Sequence, residues 1–336
     1  MEIRHQYIDR KSGEVRTEQF YGDRMIKIIY STVRERVPIL FKALTSPVAS
    51  SLMGYFNYEL AVGSRISGLR RFCADSGIDL SDAVEPREAL NTPARIFERR
   101  IRYWETRPLP SCRRAVVSPA DARVIVGSLD EISAFFIKEK FFDFKELFSV
   151  DKTAWHHAFT GGAFAILRLT PDKYHYTHMP VSGQVEDIYE IDGRCHSCNP
   201  NAVISVVTPY SKNRRLVTVI NTDVDSGTGI GHVAIVEVAA MLVGGICQCY
   251  SREKYLEPVS LEKNMVVERG APKILFRPGS SVVVVMFQKG RVEFAEDLVK
   301  NSARRDVESR FTADLSRPLV ETDVMVRSLL AVSSGA

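Results

Sequence analysis

The chain of 336 residues contains no uninterrupted apolar run of about 18 residues, so no bilayer-spanning helix is expected. The nearest candidates break early. Residues 233–249 carry Glu237, Gly244 and Gly245 among β-branched residues and read as buried strands; residues 37–56 are interrupted by Lys42 and Pro47 and read as an amphipathic or buried helix pair. Six cysteines are too few to staple a chain of this length, and Met1 is followed by charged and polar residues instead of an apolar secretory segment; a reducing compartment fits. A net charge of only +4 gives no footprint for a general nucleic-acid binder. Repeats and low-complexity tracts are absent. With 45% hydrophobic and 26% charged residues, the composition is that of a globular protein.

The charge is unevenly placed. Residues 1–110 hold 18 Lys and Arg against 14 Asp and Glu, while the remainder balances. An anionic lipid surface could use that excess, and a solvated helical face explains it equally well. In this front segment apolar residues recur at helical intervals: Met25, Ile28, Ile29, Val33, Leu40, Leu44, Leu52, Tyr55 and Leu60. Before them, residues 7–13 suggest a hairpin or loop. Residues 79–89 read as a helix with its loop, and Ile96, Phe97, Ile101 and Trp104 as a helical stripe stopped by residues 106–110.

After Pro110 the character changes. Short, mostly β-branched runs at 122–126, 163–169, 203–207, 217–220, 233–238 and 282–287 alternate with turn residues, and residues 296–310 look helical again. The expected fold class is α+β: a mostly helical N-terminal segment, residues 1–110, packed on a β-rich catalytic body, residues 111–336.

One tripeptide carries particular chemistry. In Gly279-Ser280-Ser281 a serine follows a glycine, whose missing Cβ tolerates strained backbone; such a hydroxyl can attack the preceding carbonyl. The product of that attack can be a pyruvoyl group at a new chain terminus. Alone, the tripeptide is also an ordinary turn, Asp121 an ordinary turn acid, and His175 with His178 an ordinary surface pair.

Together these segments resemble the phosphatidylserine decarboxylases, in particular the bacterial subgroup with longer chains. Ser118-Pro119-Ala120-Asp121-Ala122-Arg123-Val124 is similar to the family's Ser-Pro-x-Asp-Gly-x-Val. Tyr174-His175-x-x-His178-Met179-Pro180 resembles its paired-histidine motif, and Cys198-Asn199-Pro200 its Val-Asn-Pro. Glu237-Val238-Ala239-Ala240 with Val243-Gly244 parallels Glu-Val-Gly-Ala and Val-Gly, and Gly279-Ser280-Ser281 matches the processing site. Tyr7-Ile8-Asp9-Arg10-Lys11 and the basic stretch 97–108 also look like family segments. Ala122 in place of glycine, and Pro278 before Gly279, depart from the pattern.

The resemblance implies a self-processing carboxy-lyase. Ser280 is the nucleophile, His178 its base and Asp121 the acid that orients the imidazole, in the logic of a hydrolase triad. Cleavage between Gly279 and Ser280 leaves chains 1–279 and 280–336 associated without a covalent link, with a pyruvoyl group derived from Ser280 as the covalent cofactor. Its ketone would condense with a substrate amine and accept electrons as carbon dioxide leaves. His175 is the implied proton donor to the product carbon. The expected reaction is phosphatidylserine to phosphatidylethanolamine, at the cytoplasmic side of the cell membrane, with phospholipid and membrane surface as partners and no nucleic acid. A homodimer is compatible with this, although the sequence is silent on oligomeric state. Two alternatives stand beside it: decarboxylation of a soluble amino acid, for example an aromatic one, and a non-catalytic lipid-binding relative.

The cysteine pairs Cys195/Cys198 and Cys247/Cys249 have chelating spacing but read better as buried free cysteines, so no metal site is expected. Glu237 in its apolar run is either hydrogen-bonded structurally or part of the site. Ile39, Leu40 and Phe41 either touch lipid or cover the β body.

Overall fold

The structure is a computed structural model that describes residues 4–20, 23–46, 49, 73, 77–130, 141–206, 208–241, 245–279, 281–315 and 318–335. Ser280, Val243, Gly244, Leu52, Tyr55 and Leu60 lie outside the described residues.

The strands, in chain order, are β1 (Gln6–Asp9), β2 (Val15–Thr17), β3 (Ala115–Val117), β4 (Ala122–Ser128), β5 (Ala163–Leu169), β6 (Tyr176–His178), β7 (Gly183–Ile191) and β8 (Arg215–Asn221). There follow β9 (His232–Ala239), β10 (Ile246–Gln248), β11 (Val266–Val267), β12 (Pro272–Phe276), β13 (Ser281–Phe287), β14 (Val292–Phe294), β15 (Glu321–Val324) and β16 (Leu329–Ser333). Ten join one sheet in the order β11-β7-β8-β9-β13-β5-β4-β15-β1-β2, and two three-stranded sheets run β10-β12-β6 and β14-β16-β3. Within the large sheet β1 and β15 pair in parallel; β13 pairs antiparallel with both neighbours, Ser281 facing Leu169 on β5 and Ala239 on β9. The α+β expectation is met.

Strand β13 shows why its sequence is a continuous apolar run. Val283, Val285 and Phe287 join Leu167, Ile235 and Leu216 in a core that also takes Ile274 and Phe276 of β12. Val282, Val284 and Met286 point the other way, onto Phe142, Phe148, Phe159 and Phe164. A strand buried on both faces needs no polar alternation. The second face is closed by the helices Phe144–Phe148 and Thr153–Phe159, the first capped by Asp143, whose carboxylate accepts from the Glu146 amide at 2.8 Å.

Four local expectations are corrected. The expected strand 203–207 is not found in its described residues, 203–206: the helix Pro200–Ser205 occupies most of them, because Pro200 presets its first turn and Asn199 caps it by accepting from the Asn201 amide, while Val207 lies outside the described residues. Residues 79–89 form turns, since the Asp79 carboxylate takes the Ser81 amide at 2.8 Å and Ala83 bridges to Ile101. That bridge also splits the 96–104 stripe into the helices Pro93–Phe97 and Tyr103–Thr106. The stretch 296–310 likewise divides, helix Glu296–Ser302 ending well before Arg310–Leu315 begins.

The front segment opens with the β1–β2 hairpin at the edge of the large sheet and continues into the helix Asp23–Ile28, a π-helical turn Ile29–Val33 and the helix Pro38–Leu44. Its apolar residues divide. Tyr30 is buried and meets Phe41 edge-on, and both rings contact His196, whereas Ile39 is 83% exposed and Leu40 46%.

Candidate active site

The short strand β6 gathers the site. On one side its His178 amide donates to the Pro119 carbonyl at 2.7 Å, drawing in the segment that carries Asp121. On the other it pairs with β12, and the Phe276 amide donates to the His175 carbonyl at 3.1 Å. Phe276 stands three residues before Gly279, which is itself buried with φ +145, a backbone region that side chains rarely adopt. Asp121, His175, His178 and the Gly279 junction thus share one neighbourhood.

His178 is fully buried and both ring nitrogens are engaged. Nδ1 lies 2.8 Å from the Gly270 carbonyl, which can only accept, so Nδ1 carries the proton. Nε2 then offers its lone pair to the Tyr174 hydroxyl at 2.9 Å. Gly270 has φ +81, which favours glycine and aims that carbonyl at the ring. Burial pushes the His178 pKa down to about 3 and keeps the imidazole neutral.

Asp121 does not bond His178 directly. Its carboxylate accepts from Arg107 through Nη2 at 2.9 Å and Nε at 3.3 Å, and from the Val326 amide at 2.7 Å. Its charge still favours a protonated His178, which the nearby Arg327 and Arg107 oppose.

His175 is equally buried. Its Nδ1 donates to the Lys173 carbonyl at 2.8 Å, its ring stacks on Phe97 with centroids 3.4 Å apart, and Nε2 has no hydrogen-bond partner. Burial, with the Arg99 charge adding to it, holds its pKa down to about 3. The lone pair on Nε2 is therefore free. The Ser281 hydroxyl, next to the position expected to be modified, is also buried without a partner. The orphan Ser281 hydroxyl, two residues from Gly279, fits a site that holds a small polar group.

Glu237 is buried and hydrogen-bonded close by. Its Oε2 pairs with Lys273 Nζ at 2.5 Å, and Oε1 accepts from Thr177 Oγ1 at 3.1 Å, between the two histidines in sequence. Lys273 sits at a register shift of β12 against β6, which turns its side chain inward. Of the cysteines, Cys195 and Cys198 are buried and Cys247 and Cys249 half-buried, and none of the four is in a disulfide. Cys198 Sγ lies 3.8 Å from the Ser281 carbonyl, and burial raises the Cys249 thiol to about 12. Among the described residues, His5, Glu18 and Glu321 alone have metal-ligand proximity. Arg168 fills that place: its guanidinium donates to both carboxylates at 2.6–3.0 Å.

The motifs at Asp121, His175 and His178 were visible in sequence, and Tyr174 stood inside one of them without a role. Tyr255 and Gly270 carried no signal, being 81 residues from Tyr174 and 92 from His178.

Comparison with known proteins agrees with this geometry. Residues 94–312 match the family model described as phosphatidylserine decarboxylase, a span that includes every candidate site residue. The phosphatidylserine decarboxylase proenzyme of Fusobacterium nucleatum is 26% identical over 307 residues, 91% of this chain and 94% of its own. That of Chlamydia trachomatis is 29% identical over 300 residues, 89% and 92%. A rice protein, phosphatidylserine decarboxylase proenzyme 2, is 32% identical over 231 residues, 68% of this chain and 34% of its own. With its histidine strand, its buried glycine junction and the match running through both, the chain belongs to the phosphatidylserine decarboxylase family.

Proposed function

We propose that this protein is a self-processing carboxy-lyase that converts phosphatidylserine to phosphatidylethanolamine and carbon dioxide. The observation that carries the reading is the backbone bond between His175 and Phe276, which draws the paired-histidine strand to the segment entering Gly279.

In processing, Ser280 Oγ attacks the Gly279 carbonyl carbon, the C–N bond breaks and the amide becomes an ester. Loss of the residue 280 α-proton then breaks the ester, leaving a Gly279 carboxylate and a dehydroalanine, whose hydrolysis releases ammonia. His178 receives the serine proton; Asp121 acts on it through charge. The residues present fit a pyruvoyl group at position 280, since the Ser281 hydroxyl is an unused donor beside it. Such a group supplies an electrophilic ketone and an electron sink for the bond to the departing carboxyl carbon. His175, with a lone pair on Nε2, must take up a proton before it can deliver one to the product carbon.

The smaller chain, 280–336, would be held without a covalent link. Strand β13 lies between β9 and β5, and β15 between β4 and β1, all from residues 1–279. Residues 1–110 and 111–336 are proposed as front segment and catalytic body. Among the described residues no helix is long and apolar enough to cross a membrane. Ile39 and Leu40 instead offer an exposed apolar contact for a lipid surface, proposed to be the cytoplasmic face of the cell membrane.

Intact mass spectrometry is the test. Two chains, 1–279 and 280–336, the second lacking ammonia at its terminus, are expected, with carbon dioxide released from phosphatidylserine micelles and not from free aromatic amino acids. A Ser280→Ala chain that still cleaves would refute the nucleophile; an uncut wild-type chain would refute the enzyme.

A further inference from the structure

Beyond His178 the hydrogen bonds continue. The Tyr174 hydroxyl lies 2.9 Å from His178 Nε2 and 2.7 Å from the Tyr255 hydroxyl. The Tyr255 hydroxyl lies 3.0 Å from the Ile101 carbonyl and accepts from the Ile101 amide at 3.2 Å. The line of contacts His178–Tyr174–Tyr255–Ile101 is buried and walled by aromatic rings, with Tyr103 edge-on to His178 at 4.8 Å and Tyr176 against Tyr255 at 5.2 Å.

Counting protons along this line gives a definite result. The Gly270 carbonyl fixes the His178 proton on Nδ1, so Nε2 needs a donor. Three contacts, Nε2 to Tyr174, Tyr174 to Tyr255 and Tyr255 to the Ile101 carbonyl, are then served by two hydroxyl protons. One contact is always empty. A third proton, placed on Nε2, fills all of them: Nε2–H donates to Tyr174, Tyr174 to Tyr255, and Tyr255 to Ile101. The ladder is one proton short when the imidazole is neutral and complete when it is charged.

Its far end is held in an unfavourable backbone. Lys254, Tyr255 and Glu257 have φ of +46, +67 and +44, left-handed values that cost non-glycine residues energy. That geometry carries the Tyr255 hydroxyl onto Ile101 and Tyr174.

We propose that Tyr174 and Tyr255 are positioning residues that join His178 in one ladder: as the Ser280 O–H bond breaks and its proton bonds to His178 Nε2, the Tyr174 hydroxyl turns from Nε2 to donate to Tyr255, which donates to the Ile101 carbonyl, both tyrosine O–H bonds staying intact. The proposal rests on the reading of His178 as the processing base. The charged groups around the ring set the background: Asp121 favours the proton, Arg107 and Arg327 oppose it, and Tyr103 covers the ring edge.

Tyr255→Phe is the informative variant. It leaves Tyr174 free to donate to neutral His178 but removes the acceptor Tyr174 needs once His178 is charged. Losing a hydrogen bond that serves a charged group is worth roughly ten- to a hundredfold in rate. Freshly translated full-length chains are followed by electrophoresis as they cut, in mixtures of light and heavy water. Wild type should show a downward-bowed dependence of rate on deuterium fraction, because the transferred proton and both tyrosine hydroxyl protons change their hydrogen bonds in the same step. Tyr255→Phe should cut at least tenfold more slowly, with a straighter dependence and a melting temperature near wild type. A linear wild-type dependence, which needs no variant to fold, overturns the ladder, as does wild-type cutting by Tyr255→Phe. A His178→Ala chain that cuts normally instead overturns the base assignment, and a cut-deficient His178→Ala beside a normal Tyr255→Phe refutes the ladder alone.

Discussion

Glu237 and Lys273 form an ion pair with no exposure to solvent, Oε2 to Nζ 2.5 Å, between strand β9 of the large sheet and β12 of the small one. Burial pushes the Glu237 carboxyl up and the Lys273 amine down, while each partner pulls the other back toward charge. Removing one side alone leaves the other stranded. Lys273→Met is expected to destabilise the chain by about 3–5 kcal/mol, whereas the double change Glu237→Leu with Lys273→Met should cost much less. Denaturant unfolding of the Ser280→Ala background, which avoids the complication of two chains, measures both. Equal losses in the single and double variants would show that packing, not charge, governs this site.

A second buried network crosses the proposed cut. Arg168 on β5 donates to Glu18 and Glu321, and His5 Nε2 donates to Glu321 at 2.7 Å. Burial alone would raise the Glu321 carboxyl, but the Arg168 charge holds it well below the usual carboxylate range. After processing, Glu321 belongs to the small chain and the others to the large. Arg168→Ala should therefore leave Glu321 with His5 and Glu18 with Arg123 as their remaining partners, cost about 3 kcal/mol, and release the small chain at lower urea than wild type. Native mass spectrometry across a urea series reads the dissociation directly. Unchanged association would place the hold in the strand pairing instead.

How much of this was legible beforehand depends on the range of the signal. Strand β13 was plain, because burial on both faces makes residues 282–287 uniformly apolar. Asp121, His175 and His178 were readable as motif members, and their approach follows from β6 pairing with β12 and from the Pro119 contact. The helix Pro200–Ser205 was misjudged because Val203 and Ile204 outweighed a capping signal that Asn199 and Pro200 displayed openly. The distant partners could not be read. Gly270 reaches His178, and Tyr255 reaches Tyr174, through chain folding, and no local periodicity marks either.

Acid should weaken the fold through its buried histidines. Burial holds His175 and His178 down to about 3 and His196 to about 4, against an ordinary value near 6.5. Between those limits the unfolded chain binds protons that the folded chain refuses. Stability is therefore full above about pH 7 and falls as pH drops from about 6.5 toward 4, each histidine contributing roughly 1.4 kcal/mol per pH unit at its steepest. Replacing His196 with Gln should flatten that slope by about one histidine's share. Melting temperatures measured at half-unit steps from pH 7.5 to 4.5 test the sign: a rise on acidification would mean that these rings are charged in the folded state.

The exposed front offers a separable lipid contact. Ile39 and Leu40 point outward while Phe41, one residue on, packs on Tyr30 and His196. Ile39→Glu with Leu40→Glu should reduce binding to anionic vesicles without touching the core. Losing two exposed apolar contacts, each worth about 1.5–3 kcal/mol when fully buried in lipid, corresponds to at least a tenfold weaker association. Vesicle sedimentation measures it, and turnover of a short-chain, water-soluble phosphatidylserine is the control. A drop in that control would mean the helix acts on the site instead.

His175 separates processing from turnover. It carries a free Nε2 and stands outside the His178–Tyr174 contacts, so His175→Ala should still cut between Gly279 and Ser280. Decarboxylation should fall by about 10²–10⁴, the usual worth of a positioned proton donor. The comparison is electrophoresis of the purified variant against carbon dioxide release from micelles. Should His175→Ala remain uncut while His178→Ala processes normally, the two rings have exchanged roles. The unpartnered nitrogen would then be the base for Ser280, and the ring locked between Gly270 and Tyr174 would serve the substrate.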